Sequence, residues 1–211
     1  GGWPVVIFQH GITGNRSQML PLAGALSAAG FAVVAIDLPL HGITASDPSA
    51  GLRIDGIERN FDLDLVNNST GAAGPDGVAD SSGTHFINLS SLITSRDNLR
   101  QAEADLISLV KSLPSAVFVD TDGATPLPIA LSATQRRFVG HSLGGIVGGT
   151  FLGVNADVSA ATLAMPGGGI AKLLDGSASF GPRIAAGLQA QGVIEGTDNY
   201  ETFLRFAQTL V

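Results

Sequence analysis

The nine residues Arg137-Phe138-Val139-Gly140-His141-Ser142-Leu143-Gly144-Gly145 hold the most informative pattern in this chain. The first five predict a short buried strand, and the small residues after Ser142 predict a helix over 143–153. The motif G-x-S-x-G therefore falls at a tight turn from a strand to a helix, an arrangement that exposes a serine hydroxyl. Gly140 and Gly144 leave room where the strand and the helix come close together. The alternative is an ordinary glycine-rich start of a helix, since the chain has 28 glycines.

Apolar stretches elsewhere predict three more strands, over 4–9, 31–37 and 160–165. Further helices are predicted over about 17–29, 96–113 and 200–211. The alternation of strands and helices indicates an α/β fold with a mostly parallel sheet flanked by helices. We expect strand 4–9 to lie between strand 31–37 and strand 137–141. The order of the sheet then reverses at strand 4–9, and a site is expected at the carboxyl ends of the strands.

One domain is expected to span the whole chain, 1–211, with two irregular insertions at about 43–92 and 115–135. The first insertion is rich in Gly, Ser, Asp and Asn, and a loop of this length in a compact domain is usually functional. Residues 167–211 are expected to be helical. The apolar stripe of helix 200–211 predicts either a lid over the site or plain packing against the core.

The composition excludes several classes of protein. A chain of 211 residues fits one well-buried domain, and 45% hydrophobic against 14% charged residues leaves little material for disorder. The net charge of −7 disfavours nucleic acid and anionic membranes as partners. No apolar stretch is long enough for a membrane-spanning helix, and the absence of cysteine excludes disulfides and thiolate metal sites.

A loop after the first predicted strand fits the chemistry of an exposed serine. Attack of a serine on an acyl group builds a negatively charged oxygen, which needs hydrogen-bond donors already in place. One donor is the backbone N–H of Leu143, and we expect the other from Ile12. Gly11 lets this loop turn inward. We interpret His10 as holding the loop through a side-chain hydrogen bond, with a role as the catalytic base as the alternative.

Together these segments resemble the α/β-hydrolase fold of serine esterases and lipases, over nearly the whole chain. Within that family, four segments are similar to bacterial extracellular lipases of the virulence-factor type: QHGITGNR (9–16), DLPLHGIT (37–44), RDNLRQAEADL (96–106) and GHSLGG (140–145). The resemblance implies a carboxylic-ester hydrolase with Ser142 as the nucleophile, either a lipase or an esterase, with a phospholipase-like enzyme as a further option. It also implies lipid-like or acyl esters as substrates, no required cofactor, and a place outside the cell or in the envelope of a bacterium.

The base and the acid of a catalytic triad are missing from the pattern. The family order is serine, then acid, then histidine, yet none of the four histidines follows Ser142: His10, His41, His85 and His141. Either His41 or His85 as base would need an unusual topology, and His141 is expected to point to the opposite face from its neighbour. Among the later acids Asp175 is the best candidate, although the surface of a helix suits it better.

No strand is predicted after Met165. We therefore expect the final strands, the histidine and the acid of the triad beyond Val211, so that the hydrolase core is truncated. The chain begins at Gly1 without an initiator Met, and we interpret it as a piece from which targeting information is lost. Without a base the serine is a poor nucleophile, so this chain alone is expected to be feebly active at most.

Two other interpretations of the chain remain open. A thioesterase, acyltransferase or peptidase of the same fold would use the same serine turn, and a non-catalytic domain would use the hydrolase scaffold for binding. Calcium is a further option, because oxygen-bearing residues lie close together in sequence at Asp64, Asn67, Asn68 and 76–80, and again at 120–123. Neither stretch has EF-hand spacing, and solvated turn chemistry is the alternative. The sequence leaves the oligomeric state open.

Overall fold

The structure is a computed structural model that describes residues 2–88, 91–120 and 123–211. Its four strands are β1 (Trp3–Gln9), β2 (Ala32–Ile36), β3 (Leu131–His141) and β4 (Ala160–Ala164). They form one all-parallel sheet in the order β2-β1-β3-β4. The predicted α/β class and the predicted neighbours of β1 are confirmed. The strand order reverses at β1, and the carboxyl ends of β1 and β3 lie side by side.

Six α-helices lie in the described ranges: α1 (Leu20–Ala28), α2 (Leu92–Ser112), α3 (Leu143–Val154), α4 (Ile170–Asp175), α5 (Gly181–Gln189) and α6 (Asp198–Leu210). Three short 3-10 helices accompany them, at Arg16–Met19, Ala50–Leu52 and Leu113–Ser115. The predicted helix 17–29 is thus a 3-10 turn that continues into α1. Within the described ranges, no helix combines the length and the apolar character needed to cross a membrane.

The helix α2 begins about one turn earlier than the sequence pattern predicts. It starts at Leu92 rather than Arg96, because the hydroxyl of Ser91 accepts a hydrogen bond from the Thr94 N–H and caps the helix. Its buried stripe consists of Ala102, Leu106 and Val110, at the spacing of successive helical turns.

The strand β3 is also longer than predicted. It begins at Leu131 rather than Arg137, so residues 131–135 belong to the sheet and not to the second insertion. Leu131 pairs with Trp3 at the start of β1, and an irregularity in register follows before regular pairing resumes. The polar residues at this irregularity hide the strand from a search for apolar stretches.

The main hydrophobic core lies between the sheet, α2 and α3. Val5 and Ile7 of β1 are fully buried there, and Phe138 of β3 packs on Phe151 of α3 with ring centroids 5.5 Å apart. A second, smaller cluster joins α5 to α6 and consists of Ile184, Leu188, Tyr200 and Leu204. Part of the apolar stripe of α6 therefore packs within the 167–211 region, while Val211 packs against the main core.

An ion-pair network anchors the first insertion to the sheet. The Arg16 guanidinium donates to both carboxylate oxygens of Glu58, at 2.6 and 2.8 Å, and it also pairs with Asp37 at the end of β2. Glu58 accepts two backbone N–H bonds from the insertion as well, from Ile43 and Ile54, both at 2.9 Å. The hydrogen bond from Arg16 lowers the pKa of Glu58 to about 2, so this carboxylate stays charged near neutral pH.

Two buried histidines lie between the loops that follow β1 and β2. The Nδ1 of His10 lies 2.7 Å from the carbonyl oxygen of Gly11, and its Nε2 accepts the Leu38 N–H at 3.0 Å. The Nδ1 of His41 lies 2.8 Å from the Pro39 carbonyl oxygen, and the two rings are 5.0 Å apart. A carbonyl oxygen only accepts, so each Nδ1 carries the proton, and the acceptor role of Nε2 makes His10 neutral.

Acid should destabilise the protein through these histidines. Burial lowers the pKa of both His10 and His41 from 6.5 to about 4. Below pH 6.5 the unfolded chain binds protons that the folded protein does not, so stability falls from pH 6.5 towards pH 4. A shift of one pKa unit corresponds to about 1.4 kcal/mol, so each histidine should lower the free energy of unfolding by about 3 kcal/mol over this range. Protonation of Glu58 lowers the stability further only below the ordinary pKa of a glutamate, 4.5.

Urea denaturation between pH 6.5 and 4.5 measures this loss directly. In His41→Asn the amide can replace the Nδ1 donor without taking up a proton, so the pH slope of the unfolding free energy should fall to about half. Identical slopes for the variant and the parent protein would show that the buried pair does not cause the acid sensitivity.

Candidate active site

Ser142 occupies the turn that joins β3 to α3. Its backbone has φ 51° and ψ −117°, which residues with a Cβ rarely adopt. Such a conformation costs on the order of 1–3 kcal/mol and persists only where the surroundings hold it. The Ser142 N–H donates to the carbonyl oxygen of Ala164 in β4 at 2.9 Å, and its own carbonyl accepts from Gly145 and Ile146 at 2.8 and 3.0 Å. Hydrogen bonds therefore fix the turn on both sides.

The glycines of the motif are required by close contact with backbone atoms. A Cβ on Gly140 would overlap the carbonyl of Gly144, and a Cβ on Gly144 would overlap the carbonyl oxygen of Gln9 in β1. A Cβ on Gly11 would lie 3.0 Å from the Cβ of Ser142. These three positions let the first turn of α3 and the loop after β1 meet around the serine.

A cavity of about 360 Å³ lies over Ser142. Ile12 and Leu143 line the same cavity, and in the described part of the chain neither backbone N–H donates a hydrogen bond. Leu143 begins α3, where the helix dipole adds positive potential. The Ser142 hydroxyl likewise has no hydrogen-bond partner among the described residues. One cavity is therefore lined by a serine with a free hydroxyl and by two residues with free amides, a set of groups that suits an acyl carbonyl.

The rest of this cavity is mainly apolar. Its side chains come from the loop after β1, the first insertion, α3, the end of β4 and the 167–211 region. They include Ile87, Ile146, Met165, Ile170, Leu173, Leu174 and Phe180. The predicted site residues Ile12, Ser142 and Leu143 are thus brought together with a wall that the sequence analysis missed. The amphipathic pattern of the helices was a signal for burial, but it does not say which cavity a residue borders.

Backbone strain is concentrated at the carboxyl edge of the sheet. A non-glycine residue with positive φ follows each strand within a few residues: Thr13 (62°) after β1, Leu40 (57°) after β2, Ser142 (51°) after β3 and Met165 (52°) after β4. Ser142 and Met165 line the cavity over the serine. Strained residues cluster at functional sites because a site needs chain directions that relaxed backbone does not give.

None of the chain's four histidines hydrogen-bonds to Ser142, and all four lie in the described ranges. The Nδ1 atoms of His10 and His41 are bound to backbone carbonyls. His85 pairs through Nε2 with a buried carboxylate at 2.7 Å. His141 directly precedes Ser142, but it does not line the cavity. His10 holds its loop by hydrogen bonds, as the sequence analysis interprets it, and both of its ring nitrogens are engaged.

The best acid candidate after Ser142 has another partner. Asp175 in α4 accepts a hydrogen bond from the hydroxyl of Tyr200, a residue of α6 that is 2% exposed. Burial raises the pKa of this tyrosine well above its usual value, so its hydroxyl remains a donor. Asp175 is half-buried, and its carboxylate joins α4 to α6. Among the described residues, no Asp or Glu lines the cavity over Ser142.

The carboxylates of the first stretch considered for calcium accept hydrogen bonds from backbone N–H groups of turns. Asp64 accepts the N–H groups of Asp76 and Gly77 at 2.9 and 2.8 Å, and Asp76 accepts that of Asn68 at 2.8 Å. Asp80 accepts the N–H of a neighbouring loop residue. In the ranges that the structure covers, no three His, Cys, Asp or Glu residues are grouped to hold a metal ion. In the second stretch, 121–122 lie outside the described residues.

Comparisons with known proteins give no further assignment. No family model matches the chain, and no curated protein matches it.

The close approach at Gly144 should make the motif intolerant of any side chain. Gly144→Ala places a methyl group against the backbone of β1, and overpacking of this kind costs about 1–3 kcal/mol. Gly149→Ala, in the same helix with nothing within 4 Å of the added carbon, should instead stabilise by about 1 kcal/mol. Thermal or urea unfolding of both variants measures the contrast. Equal effects would show that α3 does not press on β1 as described.

Proposed function

We propose that this protein is a serine carboxylic-ester hydrolase with an α/β-hydrolase core, a lipase or esterase in which Ser142 is the nucleophile. The observation that carries the proposal is the strained turn of Ser142 (φ 51°), whose cavity is also lined by Ile12 and Leu143, two residues with unpaired backbone N–H groups. A hydroxyl held in this way beside two free donors suits attack on a carbonyl carbon.

In the proposed reaction the Ser142 oxygen attacks the ester carbonyl and passes its proton to a base. The carbonyl oxygen becomes negatively charged and is stabilised by the amides of Ile12 and Leu143 and by the N-terminal end of α3. The bond to the alcohol then breaks, the alcohol leaves with a proton, and an acyl-serine remains. Water repeats the sequence on the acyl-serine and releases the carboxylic acid.

The apolar lining supports an acyl chain as the group that occupies the cavity. Side chains of α4 and Phe180, at the start of α5, form part of its wall, which supports the hypothesis that the 167–211 region is a lid. A cavity of about 360 Å³ suits a hydrocarbon chain better than a bulky polar group.

The proposal needs an imidazole that the described contacts do not provide. His10 and His41 are bound to backbone carbonyls, His85 is paired, and His141 lies outside the cavity. We propose that the base and the acid come from outside residues 1–211. The lack of an imidazole among the described residues that line the cavity over Ser142 is also the observation that favours the second candidate, a binding domain that uses the same scaffold without catalysis.

A fluorophosphonate probe should label Ser142 and no other serine. Ser177 is the matched control, because it lines the same cavity but its hydroxyl accepts N–H bonds from Ser179 and Phe180. Mass spectrometry should find the adduct in the parent protein and in Ser177→Ala, and no adduct in Ser142→Ala. Labelling that persists in Ser142→Ala would refute the nucleophile.

Free imidazole should activate the isolated chain. A positioned base contributes roughly 10²–10⁴-fold to the rate of such a reaction. Imidazole in solution should therefore raise the rate of Ser142-dependent hydrolysis of a p-nitrophenyl ester at least about tenfold. Imidazole cleaves such esters by itself, and Ser142→Ala measures that background. An equal response of the parent protein and Ser142→Ala would favour the binding domain. Fast turnover without imidazole would instead direct attention to the chain's own histidines.

A further inference from the structure

A second cavity, of about 430 Å³, adjoins the one over Ser142. The two share Ile12, Ile87, Leu174 and Phe180 among their lining residues. The second cavity has a different character, because polar residues of the first insertion and of the loop after β1 line much of it. A molecule held at Ile12 therefore has an apolar space on one side and a polar space on the other.

The only charged side chain among the described residues that line this second cavity is Arg183. It lies exposed in the first turn of α5 and makes no hydrogen bond or ion pair with any described residue. Most other basic residues behave differently, since Arg16, Arg53 and Lys172 each pair with a carboxylate. An unpaired cation in a cavity without acids is notable in a chain with a net charge of −7.

Neutral donors accompany the arginine. Thr13 and Ser81 line the cavity, and their hydroxyls make no hydrogen bond within the described part of the chain. The carbonyl oxygen of the Asn67 side chain is bound to the N–H of Thr70 at 3.0 Å, so this amide has its NH₂ group left to offer. Guanidinium, hydroxyl and amide donors around one space favour a ligand rich in acceptor oxygens.

We propose that this second cavity binds an anionic group, a phosphate or a carboxylate, on an amphiphilic ligand whose hydrocarbon chain occupies the cavity over Ser142. Arg183 is the residue that selects the charge, since a guanidinium binds either oxyanion through two parallel hydrogen bonds. As a statement about substrate, the inference rests on the proposed ester hydrolase, and it names the substrate class as an ester with an anion on its alcohol side. As a statement about binding, it can be tested alone.

Three ethers without a scissile bond provide that test: 1-O-octylglycerol, its 3-phosphate, and 3-O-octylglyceric acid. Titration calorimetry on the 211-residue chain, below the micelle concentration of each ligand, measures affinity. Hydrogen bonds to charged groups contribute about 1.5–3 kcal/mol, so at least one anion should bind about tenfold tighter than the neutral ether. A preference for the phosphate or for the carboxylate supports the proposal and identifies the group.

The decisive variant is Arg183→Gln, which should reduce the affinity for the anion to that of the neutral ether. Because Arg183 is exposed, its replacement should not impair folding. Arg205→Gln is the matched control, since Arg205 is an exposed arginine of α6 that does not line the cavity. The proposal is overturned if the neutral ether binds as tightly as both anions, or if Arg183→Gln keeps the preference.

The ethers also separate this inference from the proposed function. The ethers contain no carboxylic ester that Ser142 could attack, so Ser142→Ala should bind them as the parent protein does. An Arg183-dependent preference for anions in a protein whose Ser142 resists the fluorophosphonate probe would uphold the binding site and refute the hydrolase. Labelling of Ser142 without any preference for anions would uphold the hydrolase and refute the charge-selecting cavity.

Discussion

The contact between the first turn of α3 and the carboxyl ends of β1 and β3 is the constraint on which the rest of the structure depends. Gly144 lies against the carbonyl of Gln9, and Gly140 lies against the carbonyl of Gly144, so no side chain fits between helix and sheet. A helix that starts so close to a strand leaves one residue for the change of direction, and that residue, Ser142, takes a positive φ. The unpaired hydroxyl of Ser142 is a consequence of this packing, and so is the unpaired amide at the start of α3.

Two buried histidines and an ion pair hold the loops at the carboxyl edge of the sheet in place. The neutral pair His10 and His41 joins the loop after β1 to the loop after β2, while Glu58 and Arg16 hold the long insertion to the same edge. Buried neutral imidazoles are tolerated because their Nδ1 atoms donate to backbone carbonyls, and their burial makes them sensitive to acid. The loops around Ser142 therefore rest on residues that do not line its cavity.

In the proposed hydrolase, the groups that hold the carbonyl and the groups that move the proton have different sources. The parts that would hold a carbonyl, namely the serine and two backbone amides, come from two loops at adjacent strand ends. The part that would move a proton needs an imidazole with a free nitrogen beside the serine, and the histidines of this chain are either bound elsewhere or outside the cavity. Stabilisation of negative charge and activation of the nucleophile are independent contributions to rate, so either can be present without the other.

The sequence by itself determined the parallel α/β sheet, the neighbours of β1 and the place of Ser142 between strand and helix, because apolar periodicity and glycine spacing are local signals. It misplaced the start of β3, where polar residues interrupt the apolar pattern, and it did not anticipate the partner of Asp175. Only the tertiary structure decided which side chains enclose Ser142 and that an unpaired arginine, Arg183, lines the adjoining cavity. Those facts depend on how helices distant in sequence pack on one edge of the sheet, and no local pattern encodes that arrangement.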